Sequence, residues 1–177
     1  MTATTKSRGL LPDYCFSRVT EISVDWLRGL SINGLLLDID NTITRWEQRR
    51  VPKPELAWLQ ALSDSGLRLR LLSNGLAVKR SEVERQTGIP LVGGSPIKPF
   101  AMAFRRALKD LDLPAAQVMM IGDSVVTDAL GANRLGIWSC LVEPLSPVDF
   151  PGSKLHRMLE RLFHLRRPLH PENDLRH

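Results

Sequence analysis

From residue 32 onward, short apolar runs alternate with segments whose apolar residues recur at helical spacing. The apolar runs predict buried strands at residues 32–37, 67–72, 90–92, 118–121 and 137–142. The segments between them predict helices at residues 56–62, 76–87, 100–111 and 125–135. This alternation favours an α/β fold with a doubly wound, Rossmann-like, five-stranded parallel sheet covered on both faces.

Polar motifs follow four of the predicted strands. They are Asp38-Ile39-Asp40-Asn41-Thr42, Leu72-Ser73-Asn74, Lys98-Pro99 and Gly122-Asp123-Ser124 with Asp128 after it. Ligands of doubly wound sheets bind beyond the carboxyl ends of the strands, near the point where strand order reverses. The sequence therefore predicts that carboxylates, a hydroxyl and an ammonium converge at one edge of the sheet.

Asp38 and Asp40 are the candidate catalytic pair. Two residues apart in an extended segment, their side chains share a side. One carboxylate can then attack phosphorus while the other handles the proton of the leaving oxygen. A solvated loop or a helix cap is the alternative interpretation, and it is the common one for an isolated Asp-x-Asp.

Hydroxyl, amide and ammonium groups in the same motifs are candidates for binding phosphate. Thr42 offers a hydroxyl and an N–H, and Ser73 a hydroxyl beside the Asn74 amide. Lys98 lies directly before a predicted helix, where a fixed ammonium neutralises charge on a phosphoryl group. The alternatives are a turn residue for Ser73 and an ordinary surface lysine for Lys98.

Asp123 and Asp128 are candidate metal ligands. Oxygen ligands without nearby histidine or cysteine favour Mg²⁺ over zinc or copper. The alternative is that Asp123 or Ser124 caps the following helix. A cap does not explain the second carboxylate at Asp128.

The composition of the chain excludes several other kinds of active site. All four histidines lie in residues 151–177, so residues 1–150 cannot form a Ser-His-Asp triad or a His-rich zinc site. Two cysteines, one in a predicted core strand, indicate a reduced, cytoplasmic protein. No apolar run is long enough to span a membrane, and no secretory signal is expected.

Taken together, the four motifs resemble those of the haloacid-dehalogenase-like hydrolases over about residues 32–145. Within that superfamily the chain is similar to the subfamily IIIA phosphatases. It is most similar to the YqeG-type branch, which includes phosphatidylglycerophosphate phosphatases. The phrase Leu11-Pro12-Asp13-Tyr14, the approach Leu35-Leu36-Leu37-Asp38 and the ending Thr127-Asp128 indicate that branch.

The resemblance implies a role for each motif. Asp38 would form an aspartyl-phosphate, and Asp40 would protonate the leaving group and then activate water. Ser73 and Lys98 would hold phosphoryl oxygens. Mg²⁺ would be bound by Asp38, the Asp40 carbonyl and Asp123, supported by Asp128. Only 32 residues separate Asp40 from Ser73, and 24 separate Ser73 from Lys98, which leaves no room for a cap domain.

Three regions are therefore expected along the chain. Residues 1–31 form an N-terminal extension packed on the core, residues 32–150 the phosphatase domain, and residues 151–177 a basic amphipathic segment. Within the last region, residues 154–167 suit peripheral contact with an anionic membrane. The alternative is that the same apolar stripe packs on the domain. With no nucleic-acid motif, nucleic acid is not an expected partner despite the pI of 9.7.

These expectations give three functional hypotheses. The first is a Mg²⁺-dependent phosphatase that converts phosphatidylglycerophosphate to phosphatidylglycerol, in the cytoplasm or on the inner face of a membrane. The second is a phosphatase of soluble phosphate esters. The third is a signalling module that keeps phosphate on an aspartate without turnover, against which Asp40 argues because it is suited to acid–base catalysis. The oligomeric state is left open.

Overall fold

A computed structural model describes residues 11–94 and 97–146. Within them lies a five-stranded sheet in which every strand pair is parallel. Its strands are β1 (Tyr14–Phe16), β2 (Gly34–Leu37), β3 (Arg68–Leu71), β4 (Val118–Gly122) and β5 (Trp138–Val142). Their order across the sheet is β1-β5-β4-β2-β3. The predicted α/β, doubly wound fold is confirmed.

Helices cover both faces of this sheet. They are α1 (Val24–Gly29), α2 (Lys53–Asp64), α3 (Ala77–Thr87), α4 (Ala101–Leu111) and α5 (Leu130–Asn133). Short 3-10 turns at Val19–Glu21 and Ala115–Gln117 and a π-helical turn at Val125–Ala129 complete the described elements. Helices α2 and α3 contribute to one core cluster, and α4 and α5 contribute to the other.

The central strands β2 and β4 are buried along their whole length, as parallel strands covered on both faces must be. Their side chains alternate between the two cores. Leu35 and Leu37 belong to the cluster with α2 and α3, whereas Leu36 belongs to the cluster with α4 and α5. The continuous apolar run before Asp38 therefore fills both cores at once.

The order of the strands reverses at β2. The chain passes from β2 to β3 on one side and later returns as β4 on the other side of β2. Leu37 is in register with Ile121, and the Asp38 N–H donates to the Ile121 carbonyl at 2.9 Å. The first residues beyond β2 and β4 therefore lie side by side at the switch point, where such folds bind ligands.

One predicted strand is wrong. Residues 90–92 form only an isolated bridge between Leu71 and Leu91, with two hydrogen bonds to the main chain of Leu71. Pro90 has no N–H to extend the ladder, and Gly93 and Gly94 follow at once. The fifth strand is instead β1, from the segment predicted as an N-terminal extension.

The segment that contains β1 is fastened to β5 by Asp13. The Asp13 carboxylate accepts hydrogen bonds from the N–H and the hydroxyl of Ser139 at 2.8 and 2.9 Å, and its N–H returns bonds to Ser139. Tyr14 and Phe16 then pack edge-on against Trp26 of α1, with centroids 4.9 and 5.0 Å apart. Residues 11–31 thus contribute both a strand and an aromatic cluster.

The basic segment predicted at residues 151–177 lies outside the described residues. Of the described helices, none has the length and apolarity needed to cross a bilayer. Between Asp40 and Ser73 the chain forms a loop, α2 and β3, and no second domain. The expected absence of a cap in this interval is confirmed.

We expect Asp13→Ala to lower the free energy of unfolding by about 1–3 kcal/mol, because it leaves the Ser139 donors without their acceptor. Urea denaturation would measure the change. Asp25→Ala is the matched control, since this side chain is 96% exposed and its ion pair with Arg28 is long at 3.8 Å. Equal, negligible effects of both substitutions would contradict the role given to Asp13.

Candidate active site

A buried lysine joins two carboxylates at the switch point. The Lys98 ammonium lies 2.7 Å from Asp38 Oδ1 and 2.6 Å from Asp128 Oδ1. All three side chains are buried, with Lys98 only 3% exposed. Charges removed from water to this degree need each other, because an unpaired one would be strongly destabilising. The residue predicted to be either a surface lysine or a phosphate ligand is therefore held in the centre of the site.

Asn74 fixes the main chain of Lys98. Its Nδ2 donates to the Lys98 carbonyl at 2.9 Å, and its Oδ1 accepts from the Lys98 N–H at 2.8 Å. This reciprocal pair ties the loop after β3 to the segment before α4. Asn74 thus acts on the site through Lys98, and its direct contact with phosphate stays a prediction.

Asp128 is positioned by a π-helical turn. Its Oδ2 accepts from the Ser124 N–H at 3.1 Å, and its Oδ1 faces Lys98. A Cβ at Gly122 would overlap the Asp128 carboxylate, so glycine is required there. Ser124 also caps this turn, accepting from the Thr127 N–H at 3.3 Å. Ser124 therefore caps the turn, as one alternative predicted, and Asp128 still brings a second carboxylate to the site.

Three of the four predicted metal ligands form one cluster. Oxygens of Asp38, Asp123 and Asp128 lie within 4.8 Å of one another, and all three residues are buried. Asp40 is absent from this cluster, which leaves its main-chain carbonyl as the contribution that the resemblance implies. An oxygen-only donor set that is dense in negative charge suits a hard ion such as Mg²⁺.

Asp40 lies beside the Ser73 loop. A Cβ at Gly75 would overlap the Asp40 carboxylate and lie 3.3 Å from Ser73 Oγ, so these two groups face the same small space. Ser73 Oγ accepts from the Gly75 N–H at 3.1 Å, which is the predicted turn interaction. This bond uses only an acceptor site of the hydroxyl, whose hydrogen stays available for a ligand.

Lys79 on α3 is a site residue that sequence reasoning missed. Its ammonium lies 2.6 Å from Asp40 Oδ1 and donates to the carbonyls of Arg45 and Trp46 at 2.7 and 3.0 Å. Lys79 and Val83 are the buried residues of α3, four positions apart. That spacing alone indicates that Lys79 faces inward, and it could have identified this residue.

The loop that leads from Asp40 to Arg45 and Trp46 is compact. Asn41 adopts a left-handed conformation with φ 58°, and its Oδ1 accepts from the Trp46 N–H at 3.0 Å. Thr42 beside it is buried, and its hydroxyl has no hydrogen-bond partner. An unpaired buried hydroxyl is unfavourable by itself, and a ligand oxygen is one partner that would satisfy it.

Burial shifts the proton affinities of the site in two directions. Burial raises the pKa of the Asp40 carboxyl, with Lys79 opposing the rise and Asp38 adding to it. Burial also raises the pKa of Asp128, against the effect of Lys98. For Lys98 itself burial acts to lower the pKa, but Asp128 and Asp38 outweigh it and raise the pKa, so the ammonium stays charged. Asp40 is thus a carboxyl outside the cluster whose pKa is raised above its ordinary value.

Known proteins are similar to this chain in sequence and in fold. The HAD-hydrolase-like family model matches residues 97–144, which include Lys98, Asp123 and Asp128. The probable phosphatase YqeG of Bacillus subtilis is 28% identical over 85% of this chain and 87% of its own length. The chloroplastic phosphatidylglycerophosphate phosphatase 1 of Chlamydomonas reinhardtii is 28% identical over 79% of this chain. This chain covers 56% of that longer protein.

A solved structure with a similar fold is the cobalt-bound deoxy-D-mannose-octulosonate 8-phosphate phosphatase of Haemophilus influenzae. Its TM-score is 0.53 at 18% identity, over 65% of this chain and 70% of the other. The chain is thus similar in sequence to haloacid-dehalogenase-like hydrolases and to a probable phosphatase, and it shares its fold with a solved phosphatase. The prediction that the chain is a phosphatase is confirmed.

The carboxylate cluster of this phosphatase predicts a Mg²⁺-dependent gain in stability. We expect millimolar Mg²⁺ to raise the thermal midpoint of the wild type, since an ion that binds only the folded state stabilises it. Asp123→Asn should lose most of that gain, because it removes one charge from the cluster. In calorimetric titration with Mg²⁺ alone, the affinity of the Asp123→Asn protein for the ion should be weaker than that of the wild type by about tenfold or more.

Asp112→Asn is the control for this titration, since that carboxylate is 95% exposed and lies at the C-terminal end of α4, whereas the cluster adjoins the start of that helix. It should keep the Mg²⁺-dependent gain of the wild type. An Asp123→Asn protein that binds Mg²⁺ as tightly as the wild type would show that the cluster is not the metal site.

Proposed function

We propose that this phosphatase hydrolyses phosphatidylglycerophosphate to phosphatidylglycerol and phosphate through an aspartyl-phosphate on Asp38. The observation that carries the mechanism is the Lys98 ammonium, which touches both Asp38 and Asp128. Such a contact orients the Asp38 carboxylate and places a positive charge beside it, as suits a nucleophile that attacks phosphorus. The choice of lipid is supported by the phosphatidylglycerophosphate phosphatase relative and by the absence of a cap in the described residues.

In the first half of the proposed reaction, an Asp38 oxygen attacks phosphorus and the ester P–O bond breaks. The departing glycerol oxygen takes a proton from Asp40. Burial supports this role because it raises the pKa of the Asp40 carboxyl, so that the acid keeps its proton to higher pH. The ammonium of Lys98 and the hydroxyls of Ser73 and Thr42 bind the phosphoryl oxygens.

In the second half, Asp40 takes a proton from water, and the water oxygen attacks phosphorus. The bond between phosphorus and Asp38 then breaks and inorganic phosphate leaves. Asp38, the Asp40 carbonyl, Asp123 and Asp128 are the groups that would hold Mg²⁺. When bound, the ion supplies charge that offsets the negative phosphoryl oxygens.

We place this activity at the cytoplasmic face of a membrane. Cys140 is buried and Cys15 is half-buried, and neither forms a disulfide. Burial raises the pKa of the Cys140 thiol, which keeps it protonated and unreactive. These thiols support a reducing compartment, where a peripheral enzyme would reach lipid headgroups without a spanning helix.

Phosphate release from phosphatidylglycerophosphate in mixed micelles with Mg²⁺ tests the proposal. The wild type should release phosphate, and Asp38→Asn should lower kcat about a thousandfold or more because it removes the nucleophile. Asp64→Asn, an exposed carboxylate on α2, should keep wild-type activity.

Other outcomes of this assay separate the three hypotheses. Asp38-dependent turnover of p-nitrophenyl phosphate without lipid hydrolysis would discard the lipid and keep the mechanism. A stable phosphoryl group on Asp38 without release would indicate a signalling module instead.

Lys79 should matter most when the leaving group needs a proton. Lys79→Met removes the ion pair that orients Asp40 and the bonds to Arg45 and Trp46. We expect turnover of an alkyl ester such as glycerol phosphate to fall about tenfold or more, with a smaller loss on p-nitrophenyl phosphate. The reason is that nitrophenolate leaves without protonation.

The control for Lys79 is Lys109→Met, an exposed lysine near the end of α4, which should change neither rate. Equal losses on both substrates would mean that Lys79 supports the fold of the loop and does not act through Asp40.

A further inference from the structure

Five of the six exposed large hydrophobic residues in the described part of the chain lie close in sequence to Ser73 or Lys98. They are Leu76 (70% exposed), Val78 (63%), Ile97 (57%), Phe100 (66%) and Met102 (77%), here called the apolar rim. Exposed apolar residues scattered singly need no explanation, whereas a group of them beside a site indicates an interaction surface.

The apolar rim lies at the sheet edge that carries the active site. Leu76 is the N-cap of α3, and Phe100 is the N-cap of α4. These helices cover opposite faces of the sheet, and both begin beside the catalytic loops. The reciprocal hydrogen bonds between Asn74 and Lys98 hold the two helix starts together, because each N-cap is two residues from that pair.

Folding stability does not account for these side chains. Helix N-caps favour serine, threonine, aspartate or asparagine, whose side chains accept from free N–H groups. Neither Leu76 nor Phe100 makes a side-chain cap bond, and both are mostly exposed. The residues therefore weaken both helix starts and gain little apolar burial in return.

Basic residues adjoin the apolar rim. The loop at residues 45–50 exposes Arg45, Arg49 and Arg50 against a single acid, Glu47. Lys79 donates to the carbonyls of Arg45 and Trp46, which holds this loop against the first turn of α3. An apolar surface beside arginines suits an anionic bilayer, where apolar groups enter the acyl boundary and cations meet phosphates. A second copy of this chain, with net charge +5, lacks that complementarity.

We propose that the apolar rim docks on an anionic phospholipid bilayer and brings Ser73 and Lys98 to the level of the headgroup phosphates. The lipid as substrate rests on the proposed function, whereas docking itself does not. The rim would contact the membrane from the domain itself, independently of the basic segment at residues 151–177.

Paired serine substitutions at the two N-caps test the proposal. In the full-length chain, Leu76→Ser with Phe100→Ser should weaken binding to phosphatidylglycerol–phosphatidylcholine vesicles about tenfold or more in a sedimentation assay. The thermal midpoint should stay the same or rise, because serine is the better N-cap. Turnover of soluble p-nitrophenyl phosphate should not change.

Two further proteins complete the test. Leu11→Ser is the matched control, because Leu11 is an exposed leucine (39%) that contacts Asn133, at the end of α5. It should bind vesicles like the wild type. Val78→Gln with Met102→Gln changes two of the three rim residues outside the caps, and it should repeat the loss even if the serine variant folds poorly.

Unchanged vesicle binding by both rim variants would overturn the proposal. So would a wild-type dimer that the rim variants convert to monomers without loss of vesicle binding, since the rim would then join two copies. If the wild type releases no phosphate from phosphatidylglycerophosphate but the variants still lose vesicle binding, docking stands and only the lipid substrate is discarded.

Discussion

The buried contact of one ammonium with two carboxylates is the constraint on which the rest of this molecule depends. Lys98, Asp38 and Asp128 come from three separate segments, and each is almost fully removed from water. Removing Lys98 would leave two buried carboxylates without their compensating charge. The carboxyl ends of β2 and β4 and the start of α4 must therefore meet at one point.

Much of the local structure around this point serves to place charge. Both polar atoms of the Asn74 amide bind the main chain of Lys98. The π-helical turn places the Asp128 carboxylate against Gly122. Lys79 supplies a second ammonium for Asp40. The two lysines, each with the carboxylates that it contacts, thus divide the site between a region that would bind metal and phosphate and a region suited to proton transfer.

The surface next to this charged site is apolar. It has apolar residues at the starts of two helices, where polar residues are preferred. The charged site and the apolar surface lie at the same edge of the sheet. The reason is that α3 begins after the end of β3 and α4 begins before the start of β4. An open site bordered by exposed apolar residues and arginines is suited to a substrate whose phosphate projects from an anionic surface. The fold thereby links the chemistry of the site to the way in which substrate would be presented.

The α/β class, most of the helices and the positions of the candidate site motifs followed from the sequence alone, because apolar periodicity and motif order are local properties. It could not distinguish β1 from residues 90–92 as the fifth strand, since a short edge strand exists only through its pairing with β5. Nor did it reveal that Lys98 bridges two carboxylates, that Asn74 holds Lys98, or that Lys79 reaches Asp40. Those contacts join residues 24–60 positions apart, and only packing at the switch point brings them together.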